Sequence, residues 1–189
     1  MADRFPAQIL IGGQVSRTKR LYPDDPDDDT TILQGLVSAL NDDGASPEYG
    51  DVAIDDKCTE KELEKYIDCG WLRLRQDQAV LGEFPETEQF CIDNGISYDR
   101  NSDHYCEYDA ELLYWRPGMM EPTIRYADAR GDEVVAGATV RKAMALLDGI
   151  SKLSVLNVDA VTTVLEKVAR LLHDACPKLP PDLAPFEII

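Results

Sequence analysis

Three groups of residues in this sequence are of types that do chemistry. Glu107, Asp109 and Glu111 recur at a spacing of two in the run CEYDAELLYW. Alternate residues of a strand share a face and stand roughly 6.6 to 6.8 Å apart, a spacing comparable to that of neighbouring phosphates in an extended nucleic-acid backbone. Three carboxylates so placed imitate phosphates, while the same pattern also describes a solvated strand face that discourages edge pairing. The run PDDPDDDTT holds Asp24, Asp25, Asp27, Asp28 and Asp29. Carboxylates this close are oxygen donors for calcium, but the glycine and the bidentate glutamate of an EF-hand loop are missing, so an acidic loop with helix-capping aspartates is expected and no metal site. His104 and Cys106 are also two apart, and a thiol within reach of an imidazole is a nucleophile and its base. The alternation puts Cys106 with Tyr108, Ala110, Leu112 and Tyr114 on the apolar face, which predicts a packing cysteine instead.

The charge is clustered. The chain carries 36 Asp and Glu against 19 Lys and Arg, a formal charge of −17. From Leu21 to Glu60 there are 12 acids and one base; from Glu83 to Glu133 there are 13 acids and four arginines. The remainder from Val134 is neutral. Clustered acid implies a basic partner and opposes direct contact with nucleic acid or an anionic membrane. No segment reads as a signal peptide or approaches the ~20 apolar residues of a membrane span, which leads to a cytoplasmic expectation. The five cysteines are odd in number and irregularly spaced, which argues for reduced packing residues and against a disulfide framework or a C-x-x-C zinc site. Phosphate-binding glycine loops, a G-x-S-x-G elbow and an H-E-x-x-H helix are absent from the sequence. The expectation is a non-enzyme without a cofactor.

The elements that must position these residues follow from periodicity. Gly12-Gly13 between RFPAQILI and QVSR predicts a tight hairpin turn. Helices are expected near 30–41, near 59–69 with Thr59 and Glu62 as a capping box and Gly70 as stop, and near 84–94 between Pro85 and Gly95. WLRLR predicts a strand with Leu72 and Leu74 inward, and Tyr49 to Ile54 another. Asn101 to Asp103 is expected to turn into the acidic strand, which ends at Pro117-Gly118. Thr123 to Tyr126 and Val134-Val135 form a further pair across Gly131-Asp132. Two helices follow, marked by Val140, Met144 and Leu147 and by Val161, Val164, Leu165, Val168, Leu171 and Leu172. PKLPPDLAPFEII reads as an extended tail docking through Phe186, Ile188 and Ile189.

The expected fold is therefore α+β, a mostly antiparallel sheet with helices on one face and a C-terminal helical hairpin. Residues 1–136 would form an acidic domain, 137–176 the hairpin packed on it, and 177–189 the tail. In size and charge, though in no motif, the chain resembles the small acidic anti-defence proteins of phages and plasmids, the DNA-imitating anti-CRISPR and antirestriction inhibitors. That resemblance implies a stoichiometric inhibitor occupying the positively charged groove of a CRISPR effector or nuclease. The expected contact residues are the five loop aspartates, Asp99, Asp103, Glu107, Asp109 and Glu111, with Tyr98, Tyr105 and Trp115 as apolar anchors. An immunity protein or antitoxin against one cognate toxin is the alternative. An enzyme of unknown reaction, with a pocket around His104, Cys106 and Asp109, is the second.

Overall fold

A computed structural model describes residues 3–25, 27–48, 52–106, 109–128, 130, 132–151 and 158–189. Among these the chain is α+β, with eight strands and five α-helices. The sheet is mostly antiparallel and runs β2 (Ile67–Asp68), β3 (Trp71–Val80), β1 (Arg4–Val15), β4 (Ser97–Ser102), β5 (Ala110–Trp115), β6 (Thr123–Ala127), β7 (Glu133–Val134). β8 (Phe186–Ile188) pairs in parallel with the Gly13–Val15 end of β1.

The expected hairpin at Gly12-Gly13 is not formed, and β1 is one strand of 12 residues. Its glycines serve close approach instead. A Cβ on Gly12 would meet the Ala184 carbonyl oxygen at 2.1 Å and Leu183 Cγ at 2.8 Å, and the Gly13 N–H donates to Pro185 O at 3.0 Å. The glycines thus admit the C-terminal segment, which crosses one sheet face. Trp71 Nε1 donates to Leu183 O at 3.0 Å, and Arg116 Nε to Pro181 O at 2.9 Å. Phe186 is buried as expected, Ile188 is partly buried, and Ile189 is exposed.

The opposite face carries Ile9, Ile11, Leu72, Leu74, Tyr98, Leu113 and Trp115, and packs under α1 (Ile32–Asp42) and α3 (Pro85–Asn94). α1 begins with a capping box in which Thr31 and Gln34 satisfy each other's backbone N–H groups. Leu33, Leu36, Val37 and Leu40 then point inward. α3 has Pro85 in its first turn and ends at Gly95 with φ 69°, a left-handed cap. α2 (Glu60–Leu63) is far shorter than the helix expected near 59–69. After one 3-10 turn the chain enters β2, and Cys69 and Gly70, with φ 52° and 92°, turn it into β3. Sheet pairing of Ile67 with Leu72 thereby overrides helix propensity, and Gly70 is a hairpin residue.

Of the strand expected over Tyr49 to Ile54, Tyr49 and Asp51 lie outside the described residues; residues 52–54 are not strand. α4 (Gly137–Ser151) and α5 (Val158–Ala175) pack on each other as the C-terminal pair. The helix forms where expected, but the α4 stripe read from sequence is not its buried one. Ala143 is buried, whereas Val140, Met144 and Leu147 are exposed. Among the described residues, no helix is long and apolar enough to cross a membrane.

Candidate acidic interface

The strand face proposed from sequence does not survive folding as an acidic ridge. β4 and β5 pair Ser102 with Glu111, Arg100 with Leu113 and Tyr98 with Trp115, and directly opposed residues share a face. Glu111 therefore lies on the core side with Leu113 and Trp115, opposite to expectation. Both parities of AELLYW hold large apolar residues, so alternation alone leaves the register undecided; pairing with β4 settles it by placing Leu113 and Trp115 in the core.

Glu111 takes a hydrogen bond from Arg100 Nη2 at 3.1 Å. Arg100 is 3% exposed. Its Nε stands 2.9 Å from Glu88 Oε1, and its Nη1 donates to Gly82 O at 2.8 Å. Burial raises the Glu88 carboxyl pKa even though the Arg100 charge pulls it down. Two carboxylates and one guanidinium thus form a structural ion cluster on the core side of the sheet, and Glu111 is engaged by Arg100.

Tyr98 and Trp115 are corrected as well. They are 0% and 4% exposed and stack with ring centroids 6.2 Å apart, so neither is a surface anchor. Asp99 lies on the other sheet face, where Arg116 Nη1 donates to it at 2.6 Å. Glu107 lies outside the described residues. Asp103, Tyr105 and Asp109 are exposed in the connection between β4 and β5, where Tyr105 stacks on Phe5 at 5.7 Å. His104 and Cys106 share that connection and are exposed, not strand residues. Cys106 has φ 50°, which turns the chain there and removes the expected apolar placement. Cys69 and Cys176 are also exposed, and only Cys91 is fully buried, so the cysteines are not mostly packing residues. Burial pushes the Cys91 thiol pKa strongly up.

The loop aspartates fare differently. Leu21 N–H donates to Thr30 O at 2.7 Å and closes the neck of a compact excursion. Within it Asp25 Oδ1 accepts from Asp27 N at 3.0 Å and Asp28 Oδ1 from Thr30 N at 2.8 Å, the Asx turns such residues favour. The Thr30 hydrogen bonds hold the Asp28 carboxyl below the usual range. Arg20 donates to Asp28 O at 2.5 Å and to Asp29 Oδ1 at 2.7 Å. Asp24, Asp25 and Asp27 are exposed. Among the described residues no group of three or more His, Cys, Asp or Glu is disposed to hold a metal ion.

This loop adjoins a surface that the strand-based reading missed. Leu21 and Tyr22 border a groove of about 430 Å³ between α1 and α3, whose rims carry Asp42, Glu86 and Asp93. Gly35 allows the helices to close, since a Cβ there would meet Phe90 Cε2 at 2.6 Å and Leu21 Cδ2 at 2.9 Å. Asp43, at the end of α1, accepts from the N–H groups of Glu86 and Thr87 at 3.3 and 2.7 Å and so caps α3, whose own N-cap position is the apolar Phe84. Residues 22–42 contain six acids and residues 83–95 four, with no Lys or Arg in either. Of the ten, only Glu88 turns into the buried ion cluster. The sequence signal was available, because Glu86, Gln89 and Asp93 follow helical spacing opposite Thr87 and Cys91.

The exposed acids of the connection between β4 and β5 do not join this surface. Asp103 N–H bonds to Pro6 O at one end of β1, and the loop leaves beyond Val15 at the other, roughly 30 Å along the strand. The candidate surface is the helix layer with its loop. No family model matches this chain, and no curated protein or solved structure shows significant similarity to it.

Proposed function

We propose that the chain is a non-enzymatic inhibitor whose acidic helix layer occupies the basic nucleic-acid groove of another protein, such as a CRISPR effector or a nuclease. One observation carries the reading. The loop before α1, Asp42 at the end of α1 and the outer side of α3 present carboxylates beside one groove, no lysine or arginine falls within residues 22–42 or 83–95, and Arg20 at the neck of the loop offsets Asp29. Solubility alone is served by mixed or dispersed charge, whereas a field of one predominant sign attracts a positive groove and repels nucleic acid. Asp24, Asp25, Asp27, Asp42, Glu86 and Asp93 take the place of phosphates, with Tyr22 as the apolar contact at the groove's edge.

The test is capture on the immobilised full chain, with identification of the retained protein and challenge by duplex DNA and by RNA. The parent should retain a protein that one of these nucleic acids displaces. Retention should weaken between 50 and 300 mM salt, as the Debye length falls through ~8 to 10 Å. A variant with Asp24, Asp25, Asp27 and Asp93 changed to Asn, and Glu86 to Gln, should lose it while keeping its melting temperature. A retained protein indifferent to both nucleic acids, or held equally by the neutralised variant, refutes the reading.

A further inference from the structure

The helical pair carries a second surface of opposite character. α4 and α5 pack on each other, and their covered stripes are Ala143, Leu146 and Ile150 on α4 and Val161, Val164, Val168 and Leu171 on α5. The next residue along each helix lies 100° further round. Met144 and Leu147 thus join Val140 in a second stripe on α4, and Leu165 and Leu172 join Val158 on α5. The same sense of rotation about two oppositely directed axes brings both stripes to one side of the pair. These six side chains are between 41% and 77% exposed. Thr162 and Ala169 fill the gaps between them on α5, so no charge interrupts the face.

We propose that this face is covered by a second copy of the chain, forming a four-helix bundle about a two-fold axis with α4 of one copy antiparallel to α4 of the other. Two helices with a shared apolar face are half of such a bundle. The edge charges are self-complementary. Arg141 and Asp148 lie two turns apart on the same border of the face, and antiparallel stacking about the midpoint of α4 sets Arg141 of each copy opposite Asp148 of the other. The area suffices. A face of 18 residues in length by two helix diameters measures about 27 by 20 Å, so pairing covers on the order of 1,100 Å² in total, above the ~1,000 Å² of a specific interface. Charge also selects this contact. Residues 137–175 hold five Lys and Arg and four Asp and Glu, a net +1, so the rest of the chain carries −18 of the total −17. Two copies can meet here while their acidic helix layers stay free.

Sedimentation equilibrium of the full chain should give twice the 21.1 kDa chain mass at micromolar concentration, and added salt should not dissociate the dimer. Leu165→Asp with Leu172→Asp should raise the dissociation constant more than about 100-fold with unchanged helicity by circular dichroism, because the inward stripe is untouched. Should that variant lose helix, the edge charges decide the matter independently. Arg141→Asp should weaken the dimer about tenfold, and adding Asp148→Arg should restore it. A 21.1 kDa species up to about 100 µM, a dimer that survives the two aspartates, or a failure of the charge exchange to restore affinity overturns the proposal.

Discussion

Arg100→Met would withdraw the cation from between Glu88 and Glu111, whose side chains are 14% and 28% exposed. Removing one member of a buried ion cluster costs about 3–5 kcal/mol, because the charge left behind is neither solvated nor paired. Glu111 is exposed enough to turn toward water, so Glu88 dominates and the expected loss is about 3 kcal/mol at pH 8. The loss should depend on pH. Burial already raises the Glu88 pKa above its ordinary value of 4.5, so the folded state binds the proton more tightly than the unfolded state. Stability from this group is intact below the unfolded value and falls as pH rises through the folded value. Without Arg100 the folded value climbs further, and each added unit removes about 1.4 kcal/mol. Urea midpoints for parent and variant should therefore differ little at pH 5 and most at pH 8. Adding Glu88→Gln, which keeps the shape and removes the charge, should recover more than half of the loss. A gap below about 1 kcal/mol at pH 8, or the same gap at both pH values, would show that the cluster is not what holds Arg100 under the sheet.

Three further outcomes are expected. Leu113→Ala should cost about 2–5 kcal/mol in urea unfolding and Leu112→Ala clearly less, since Leu113 is 5% exposed and on the covered face; the reverse order would restore the register read from sequence. Gly35→Ala should lower the melting temperature, because crowding against Phe90 and Leu21 costs about 1–3 kcal/mol and outweighs the ~1 kcal/mol gain in helix propensity; a stabilised variant would mean the groove is loosely packed. In the folded protein a thiol reagent should label Cys69, Cys106 and Cys176 rapidly and Cys91 only on unfolding, which mass mapping of the labelled sites would check.

Local signals were legible where local physics decided the outcome. The apolar spacing of Leu33, Leu36, Val37 and Leu40 with a cap before it specified α1, Pro85 and Gly95 bounded α3, and Leu72 and Leu74 turned inward as alternation required. What failed was what distant chain decides. Nothing near Gly12 reveals that Ala184 passes 2.1 Å from the site of its missing Cβ. Nothing near Ile67 shows that Leu72 will take it into a sheet. Leu112 and Leu113 compete for the core on nearly equal terms, and the register with β4 chooses between them. The acidic surface was half legible. The loop aspartates were visible as a run, but Asp42, Glu86 and Asp93 join them only because α1 and α3 pack side by side, and Glu111 departs because a buried arginine claims it.

β1 exchanges backbone hydrogen bonds with β3, β4 and β8, partners that lie as far as 173 positions away in register. During synthesis the Gly13–Val15 end of this strand must wait until Phe186 to Ile188 have been made. At ~5–20 residues per second the delay is on the order of 10–30 s. Through that interval the Gly13–Val15 edge stays open in a chain whose acidic stretches already repel one another. The high net charge then acts before folding is complete, since like-charged nascent copies repel one another until the tail closes the sheet.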